Sequence, residues 1–319
     1  MNYNAILQTA LAKGVGDVML KRIITFLDTS GYSWDDLELS NGSILAESGL
    51  NPNTIQNIHA EQTRAQQLTE ELLEHDIGIL VENDLNYPNY LKKTLGRKCP
   101  PILFVKGNIS LLNNNSVGFC GSRKVSQKGI DITASCATQL VEQGITVVSG
   151  YASGTDLSAH KAALICGGQT VFVLPEGLLR STVKGEIKEL LTEKNHVFIS
   201  QFMPKITWNA GNAMKRNSVI IGLSRAMILV ESGRTGGTFA AGEEALKVGC
   251  PLFVIDFAKP EVSAEANPYF ISSGGHPIRG KNGIPNLKKV FWAINQDVRS
   301  ELLANSVDNE DKQIRFSLS

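Results

Sequence analysis

The spacing of apolar residues divides the chain into a short helical region and a longer region of alternating strands and helices. Within residues 1–75, isoleucine, leucine and methionine recur every three or four positions, which is typical of amphipathic helices. From residue 76 onwards, short aliphatic and β-branched runs alternate with segments of helical length. The pattern predicts a small helical domain over 1–75, an α/β domain over 76–292, and a polar tail over 293–319 with one helix at 298–304.

Six apolar runs in the larger region predict the strands of a sheet. Uninterrupted β-branched runs are typical of strands that are buried on both faces, as in parallel sheets covered by helices. The predicted strands are Val117–Cys120, Thr146–Ser149, Thr170–Leu174, His196–Ser200, Ala226–Val230 and Pro251–Ile255. The predicted fold class is therefore α/β, a Rossmann-like parallel sheet with helices on both faces, in which ligands bind beyond the carboxyl ends of the strands.

Two helices of the first domain are joined by the turn Lys13-Gly14-Val15-Gly16. This pattern is typical of a helix-hairpin-helix (SAM-like) domain, and in DNA-binding examples the amides of the turn contact a phosphate. A plain helical hairpin with glycines for tight packing explains the same residues, because only Lys13, Lys21 and Arg22 supply positive charge nearby. Both interpretations remain open, and the plain hairpin is favoured.

Composition restricts the classes of function that the chain can have. Lys and Arg total 31 and Asp and Glu total 31, so attraction of a polyanion requires a local patch rather than the charge of the whole molecule. The five cysteines form no Cys-x-x-Cys pair, and the histidines lack metal-ligand spacing. No apolar run approaches membrane-spanning length, and the N-terminus has no signal-peptide pattern. These features predict a soluble cytoplasmic protein with reduced thiols and no metal centre.

Four loops that follow predicted strands combine small residues with cations, hydroxyl groups or an aromatic side chain. Glycine lets a phosphate approach the backbone, a helix N-terminus favours an anion, and arginine can bind phosphate with two parallel donors. A tyrosine here can stack on a base or pack inside the protein, and both readings stay open. The candidate residues are Gly121, Ser122, Arg123, Lys124 and Ser126; Ser149, Gly150, Tyr151 and Gly154; Lys215, Arg216 and Asn217; and Ser232, Gly233, Gly237 and Thr238. Together the loops predict a phosphate-bearing ligand.

Several spaced motifs occur in series and resemble those of the DNA-processing protein A (DprA/Smf) family. They are Gly121-Ser122-Arg123-x-x-Ser126, Val148-Ser149-Gly150-x-Ala152-x-Gly154-x-Asp156-x-x-Ala159-His160, Arg216-Asn217-x-x-Ile220-x-x-Leu223-Ser224 and Ser232-Gly233-x-x-x-Gly237-Thr238. The resemblance implies a protein that binds single-stranded DNA without catalysis and without a cofactor. It further implies protection of incoming strands in natural transformation, loading of a RecA-type recombinase, and a homodimer.

Carried over position by position, the resemblance implies a DNA pocket built from nine residues. They are Gly121, Ser122, Arg123, Lys124, Ser149, Gly150, Lys215, Arg216 and Asn217. The chain departs from the family at Ser218, where members usually carry arginine, and in the glycine-rich loop that follows Glu231. No counterpart of the family's optional C-terminal winged-helix domain is expected, so a divergent member is predicted.

Three other functions of similar folds are alternatives to DNA binding. Phosphoribohydrolases of the LOG type have a glycine loop and a catalytic glutamate, but the corresponding position here is Ala241. A non-catalytic sensor of a nucleotide or a nucleotide-derived signal fits Gly236-Gly237-Thr238 and the reduced number of cations better, and it remains the alternative. A dinucleotide oxidoreductase fits poorly, because the first loop lacks Gly-x-Gly-x-x-Gly.

Overall fold

The computed structural model describes residues 2–281 and 283–296. Contacts divide the chain into two compact units, the first formed by Met1–Asn113, Val171–Gly185 and Thr192–Arg216. The second unit is formed by Asn114–Thr170, Glu186–Leu191 and the residues from Asn217 onwards. None of the helices within the described ranges combines the length and apolar character needed to cross a membrane.

Helices and strands follow one another along the chain much as the apolar pattern predicts. The helices are α1 (Tyr3–Leu11), α2 (Asp17–Ser30), α3 (Trp34–Leu39), α4 (Ser43–Glu47), α5 (Pro52–Ala60), α6 (Gln62–Glu74), α7 (Asn89–Leu95), α8 (Gln127–Glu142), α9 (Thr155–Ile165), α10 (Gly185–Lys188), α11 (Ala210–Leu223), α12 (Gly237–Val248), α13 (Asn267–Ser272) and α14 (288–296). The strands are β1 (Gly78–Val81), β2 (Ile102–Gly107), β3 (Ser116–Cys120), β4 (Thr146–Ser149), β5 (Thr170–Val173), β6 (His196–Ser200), β7 (Ala226–Leu229), β8 (Leu252–Ile255), β9 (His276–Ile278), β10 (Gly280–Lys281) and β11 (Ile284–Pro285).

Helices α1 to α6 confirm the helical region predicted at the N-terminus. Local polar residues fix where several of them begin: Asn2 caps α1, Ser33 and Asp36 form a capping box on α3, and Asn51 caps α5 with Pro52 at its first position. The apolar faces of these helices enclose one core of buried side chains. Its members are Ala5, Ala12, Ile23, Leu27, Leu37, Ile44, Leu45, Leu50 and Ile58.

The predicted glycine turn joins α1 to α2. Gly14 has a φ of 94°, a left-handed conformation that side chains other than glycine rarely adopt. The two helices and the glycine turn between them are therefore confirmed, whereas contact of the turn amides with DNA stays a prediction.

The strands of the first unit lie in the order β1-β2-β6-β5. Strand β2 runs antiparallel to both of its neighbours, with Gly78 opposite Val105 and Phe104 opposite Ser200. The sequence predicted a parallel sheet and did not predict these antiparallel pairs, because an apolar run does not encode the direction in which a buried strand runs.

The strands of the second unit lie in the order β4-β3-β7-β8-β9, and the pairs β3–β4, β3–β7, β7–β8 and β8–β9 are parallel. The parallel, helix-covered sheet that the sequence predicted is thus confirmed in this unit. Its core consists of apolar side chains from the sheet and from the helices that pack on it. Fully buried members include Val117, Phe119, Cys136, Ala137, Leu140, Val147, Ala226, Ile228 and Val290.

The C-terminal part of the second unit contains elements that the sequence did not predict. Strand β9 has only three residues, one of them Pro277, and such a short run carries no periodic signal. Strands β10 and β11 form a small antiparallel hairpin. The helix predicted at 298–304 lies outside the described residues. The predicted domain boundaries stay predictions, since the first predicted domain lies within the first unit and the second is shared between both units.

All five cysteines are free thiols. Four are buried, and burial raises the pKa of the Cys136 thiol to about 12. Cys166 is exposed, which differs from the expectation of buried thiols, because it follows the last turn of α9 at the surface.

Candidate nucleic-acid interface

The loop between β3 and α8 is held by a carboxylate from a distant part of the chain. Ser126 caps α8, and its Oγ accepts a hydrogen bond of 3.0 Å from the Gly129 amide. Glu231 is buried, and its carboxylate accepts hydrogen bonds from both the amide (3.0 Å) and the hydroxyl of Ser126. A Cβ at Gly129 would overlap Glu231 Oε1. The N-terminus of α8, which the sequence predicted as an anion site, therefore already faces an internal anion.

Two cations of the same loop lie at the surface. Arg123 and Lys124 are both exposed, and the Lys124 amide donates a hydrogen bond of 3.0 Å to Ser122 Oγ. The backbone of the loop is thus ordered locally, and both cationic residues are accessible to solvent. Exposed guanidinium and ammonium groups on an ordered loop suit contact with phosphate.

The loop between β4 and α9 packs directly against the first loop. The amide and the hydroxyl of Thr155 each donate to the Ser122 carbonyl oxygen at 3.3 Å. A Cβ at Gly121 would overlap Thr155 Oγ1, and a Cβ at Gly154 would overlap the Ser122 carbonyl. Gly154 also has a φ of 81°. The two loops can pack on each other only if both positions are glycine. The sequence explained Gly121 by the approach of a phosphate, and this packing is a second explanation for it.

Buried polar side chains fix the start of the β4–α9 loop. His160 is buried, with Nε2 2.6 Å from the Gly150 carbonyl oxygen and Nδ1 2.6 Å from Thr170 Oγ1. Ser149 is also buried and donates its hydroxyl to the Phe119 carbonyl at 2.9 Å. Tyr151 lies next to this anchor and is half-buried, so part of its ring is accessible.

The loop between β7 and α12 completes the group. Thr238 Oγ1 donates to the Gly121 carbonyl oxygen at 2.9 Å, and Asn217 Nδ2 donates to the Gly237 carbonyl oxygen at 3.2 Å. The space beside Gly236 and Gly237 is open, since a Cβ at either position would have no neighbour within 4 Å. Helix α12 has no side-chain cap at its N-terminus. Gly236 and Gly237 are exposed, and an uncapped helix N-terminus at an exposed position is suited to binding an external anion.

The base of the β7–α12 loop is held by a neutral amide. Asn267 is buried, and its Nδ2 donates to the carbonyl oxygens of Val230 (2.7 Å) and Ile255 (2.9 Å). Its Oδ1 accepts from the Ser232 amide at 3.0 Å. Ser232 itself is buried, whereas Gly233 is partly accessible. Hydrogen bonds to a neutral side chain therefore fix the base of this loop, while the buried carboxylate of Glu231, the residue before Ser232, is directed to Ser126.

These contacts bring three of the four predicted loops together in the second unit. Residues 121–126, 150–154 and 232–238 form what is called here the three-loop surface. Asn217 belongs to the same unit and contacts this surface through Gly237. Direct contact of any of these residues with a nucleic acid stays a prediction.

The remaining two predicted residues, Lys215 and Arg216, belong to the first unit. Arg216 is buried, and its Nη1 donates to the Val173 carbonyl oxygen at 2.9 Å. Burial raises the pKa of Glu176, and the Arg216 guanidinium opposes that rise. Lys215 is exposed, with Nζ 3.6 Å from Asp17 Oδ2. Arg216 therefore has a scaffolding contact, and a role as a phosphate clamp stays a prediction.

The three-loop surface offers exposed cations and exposed glycine backbone. Burial raises the pKa of the Cys120 thiol at the end of β3, and the nearby Asp156 carboxylate raises it further, so this thiol stays protonated. Within residues 2–281 and 283–296, no three His, Cys, Asp or Glu side chains are grouped closely enough to hold a metal ion.

Sequence reasoning missed the side chains that hold the three-loop surface together. Glu231, Thr155 and Asn267 make the contacts described above, and two of them reach loops far away in the sequence. The position of Glu231 directly after a predicted strand was the available signal. Its partner Ser126 lies 105 residues earlier, so only the tertiary structure identifies the pair.

Comparison with known proteins places the chain within a family. A family model described as "DNA recombination-mediator protein A" matches residues 78–285, more than half of the chain. Protein Smf of Synechocystis sp. is 26% identical over 278 residues, which covers 85% of this chain and 68% of that protein. DNA processing protein DprA of Bacillus subtilis is 26% identical over 237 residues, covering 73% of this chain and 74% of that protein.

Solved structures show the same fold at low identity. DNA processing protein A from Streptococcus pneumoniae aligns with a TM-score of 0.70 and 24% identity, covering 89% of this chain and 97% of that one. DNA processing protein A from Helicobacter pylori, whose structure concerns its single-stranded DNA binding mode, aligns with a TM-score of 0.55 and 22% identity over 70% and 96% of the two chains. The sheet with its flanking helices, the ordered loops and the family match over residues 78–285 together establish that the chain belongs to the DNA recombination-mediator protein A family.

Proposed function

We propose that this chain binds single-stranded DNA at the three-loop surface without catalysing a reaction on it. The observation that carries the proposal is the convergence of three loops around the open, uncapped N-terminus of α12, beside the exposed cations Arg123 and Lys124. Backbone amides and cations can hold successive phosphates, while Tyr151 can stack on a base. Membership of the recombination-mediator family and the DNA-binding relative from Helicobacter pylori support the same ligand.

The physiological role follows from this binding and from the family resemblance. A strand held along its backbone is read without regard to sequence, which suits protection of incoming DNA of any origin. We propose that the protein protects incoming single strands in natural transformation and helps to load a RecA-type recombinase, acting as a homodimer. Among the predicted pocket residues, Arg123 and Lys124 are assigned to phosphate contact, and Arg216 is assigned to support of its own unit.

A nucleotide-sized ligand is the second candidate, and one specific observation favours it. Gly236 and Gly237 leave open space at the start of α12, and one phosphate group would fill the anion site there. A sensor of a free nucleotide would bind a mononucleotide as tightly as an oligonucleotide. A strand-binding protein gains affinity with every additional phosphate contact.

Fluorescence anisotropy with a labelled oligothymidine at several salt concentrations tests the proposal. Arg123→Ala and Lys124→Ala should each weaken binding and should each lower the slope of log affinity against log salt by roughly 0.7 for one lost phosphate contact on a single strand. Lys247→Ala is the matched control, because Lys247 lies in the last turn of α12, about 15 Å from its N-terminus. If the Arg123 and Lys124 variants bound the oligonucleotide as tightly as the parent, that result would contradict the assignment of the binding site. Equal affinity for thymidine monophosphate would favour the sensor.

A further inference from the structure

Positive charge is concentrated near the C-terminal end of the described chain. Residues 276–296 contain Arg279, Lys281, Lys288 and Lys289 and no aspartate or glutamate, although the whole chain carries equal numbers of cations and anions. All four side chains are exposed. Surfaces without a specific partner usually mix both signs, so a one-sided segment indicates an anionic partner.

Helix α8 connects the three-loop surface to this basic segment. Lys128 lies in its first turn, two residues after the capping Ser126, and it is exposed. Its Nζ lies 5.8 Å from the centre of the Phe257 ring. Lys128 and Phe257 line a cavity of about 230 Å³ together with Arg279. Arg279 Nε is 2.7 Å from Asp256 Oδ2, which orients the guanidinium while most of it stays exposed.

A second, more open cavity continues from the first one. The two cavities share Arg279 and the hairpin residues Gly280, Ile284 and Pro285. The second cavity is also lined by Lys281 and Lys288. The two adjoining cavities therefore place cations from α8, from the β10–β11 hairpin and from α14 along one surface, with Asp256 as the paired carboxylate of Arg279.

An exposed aromatic ring lies at the far end of this row of cations. Trp292 is 66% exposed and lies one helical turn after Lys288 on α14. The opposite side of the helix is fixed, because Val290 and Ile294 are buried in the core of the second unit. A large apolar ring held rigidly beside ammonium groups is suited to stack on a base whose phosphates bind those groups.

We propose that Lys128, Arg279, Lys281, Lys288 and Trp292, the basic track, form a second contact surface along which bound single-stranded DNA continues from the three-loop surface. The cations contact successive phosphates, and Trp292 stacks on an unpaired base. Phosphates alone would not distinguish a single strand from a duplex, whereas Trp292 requires a base with an exposed face. The inference rests on the proposed function, and it adds both length and strand preference to the site.

The test compares the binding affinities of oligothymidines of about 6 and about 20 nucleotides. Only the longer strand is long enough to contact the three-loop surface and the basic track at the same time. For the parent, the longer oligonucleotide should bind more tightly per molecule. Lys281→Gln with Lys288→Gln should weaken its binding about tenfold near 0.1 M salt and should lower its salt slope by roughly 1.4, for two lost phosphate contacts. Lys188→Gln with Lys247→Gln removes the same charge from exposed positions elsewhere in the second unit and serves as the control.

Trp292 gives an independent measurement that does not depend on charge. Trp292→Ala should weaken binding of the longer strand at least about fivefold, and Trp292→Phe should recover most of the loss, because every aromatic ring can stack. Thermal melting of each variant confirms that an exposed substitution leaves the protein folded.

Three outcomes overturn the inference. The first is an unchanged affinity and salt slope for the longer strand in the Lys281 and Lys288 variant, while Arg123→Ala still weakens binding; the proposed function then stands alone. The second is equal loss in the charge-matched control, which indicates general attraction. The third is a parent protein that binds neither oligonucleotide. That result would contradict both the proposed function and the basic track, and it would do so even if the protein bound an acidic peptide.

Discussion

Two helices in the second unit, α8 and α12, each follow a strand and a loop with small residues, but their N-termini differ in what faces them. The start of α8 is capped by Ser126 and faces the buried carboxylate of Glu231. The start of α12 has no side-chain cap, and the neutral Asn267 holds the loop before it. Both ends carry the partial positive charge of a helix dipole; a buried carboxylate lies at the start of α8, whereas the start of α12 has no side-chain cap hydrogen bond. An anion site therefore depends on what already occupies the helix end as much as on glycines in the loop.

This difference assigns separate tasks to the two loops. The α8 loop presents Arg123 and Lys124, and its backbone is held at two points: the Ser126 amide donates to Glu231, and the Ser122 carbonyl oxygen accepts from Thr155. The start of α12 is exposed at Gly236 and Gly237 and has no side-chain cap. A strand crossing both would find side-chain cations on one and backbone donors on the other.

The largest effect on stability is expected at the internal carboxylate. Glu231→Gln replaces an acceptor of two hydrogen bonds by a group with one acceptor and one donor, opposite the amide and hydroxyl of Ser126. Loss of charge-assisted bonds in a buried place should lower the free energy of unfolding by about 2–4 kcal/mol. Urea denaturation followed by circular dichroism measures it. A loss below about 0.5 kcal/mol would mean that Glu231 does not stabilise the start of α8.

Two glycines that look alike in sequence should respond differently to alanine. Gly121→Ala should cost about 1–3 kcal/mol, because the added Cβ overlaps Thr155 Oγ1. Gly237→Ala should change stability by less than about 1 kcal/mol, because the space there is open and its φ is not positive. The same denaturation experiment compares them.

A second substitution serves as the control for this pair of glycines. Thr155→Ala removes the overlapping hydroxyl and methyl groups, so it should recover part of the stability lost in Gly121→Ala. Equal costs at Gly121 and Gly237 would contradict the packing argument.

The sequence predicted the sheet of the second unit well, because each strand there is a short run of buried aliphatic residues. Strand β4 spans Thr146–Ser149, as the apolar run predicted. The hairpin β10–β11 was missed because strands of two residues have no period to detect. The antiparallel direction of β2 was missed because burial alone does not specify direction.

The sequence predicted where the loops of the candidate site lie, but it predicted only part of what their residues do. Small residues after strands marked all three loops of the three-loop surface. Gly121 was interpreted as room for a phosphate, and the structure adds contact with Thr155, a residue of another loop. The engagement of Ser126 by Glu231 joins positions 105 residues apart, which local patterns cannot contain. The motif around Arg216 predicted a residue that binds phosphate. The structure shows that Arg216 is buried, which the local sequence does not indicate.

The most direct test of DNA binding at the three-loop surface places a negative charge at the start of α12. Glu231 already supplies such a charge at the start of α8. Gly237→Asp places a carboxylate at the open N-terminus of α12, where it should stabilise the helix by about 0.3–1 kcal/mol while competing with phosphate. Gly237→Asn is the matched control of nearly equal size. Measured by anisotropy with a labelled oligothymidine, Gly237→Asp should weaken binding at least about tenfold and Gly237→Asn by less than about threefold. Equal affinities of the two variants and the parent would contradict the claim that single-stranded DNA binds at the three-loop surface.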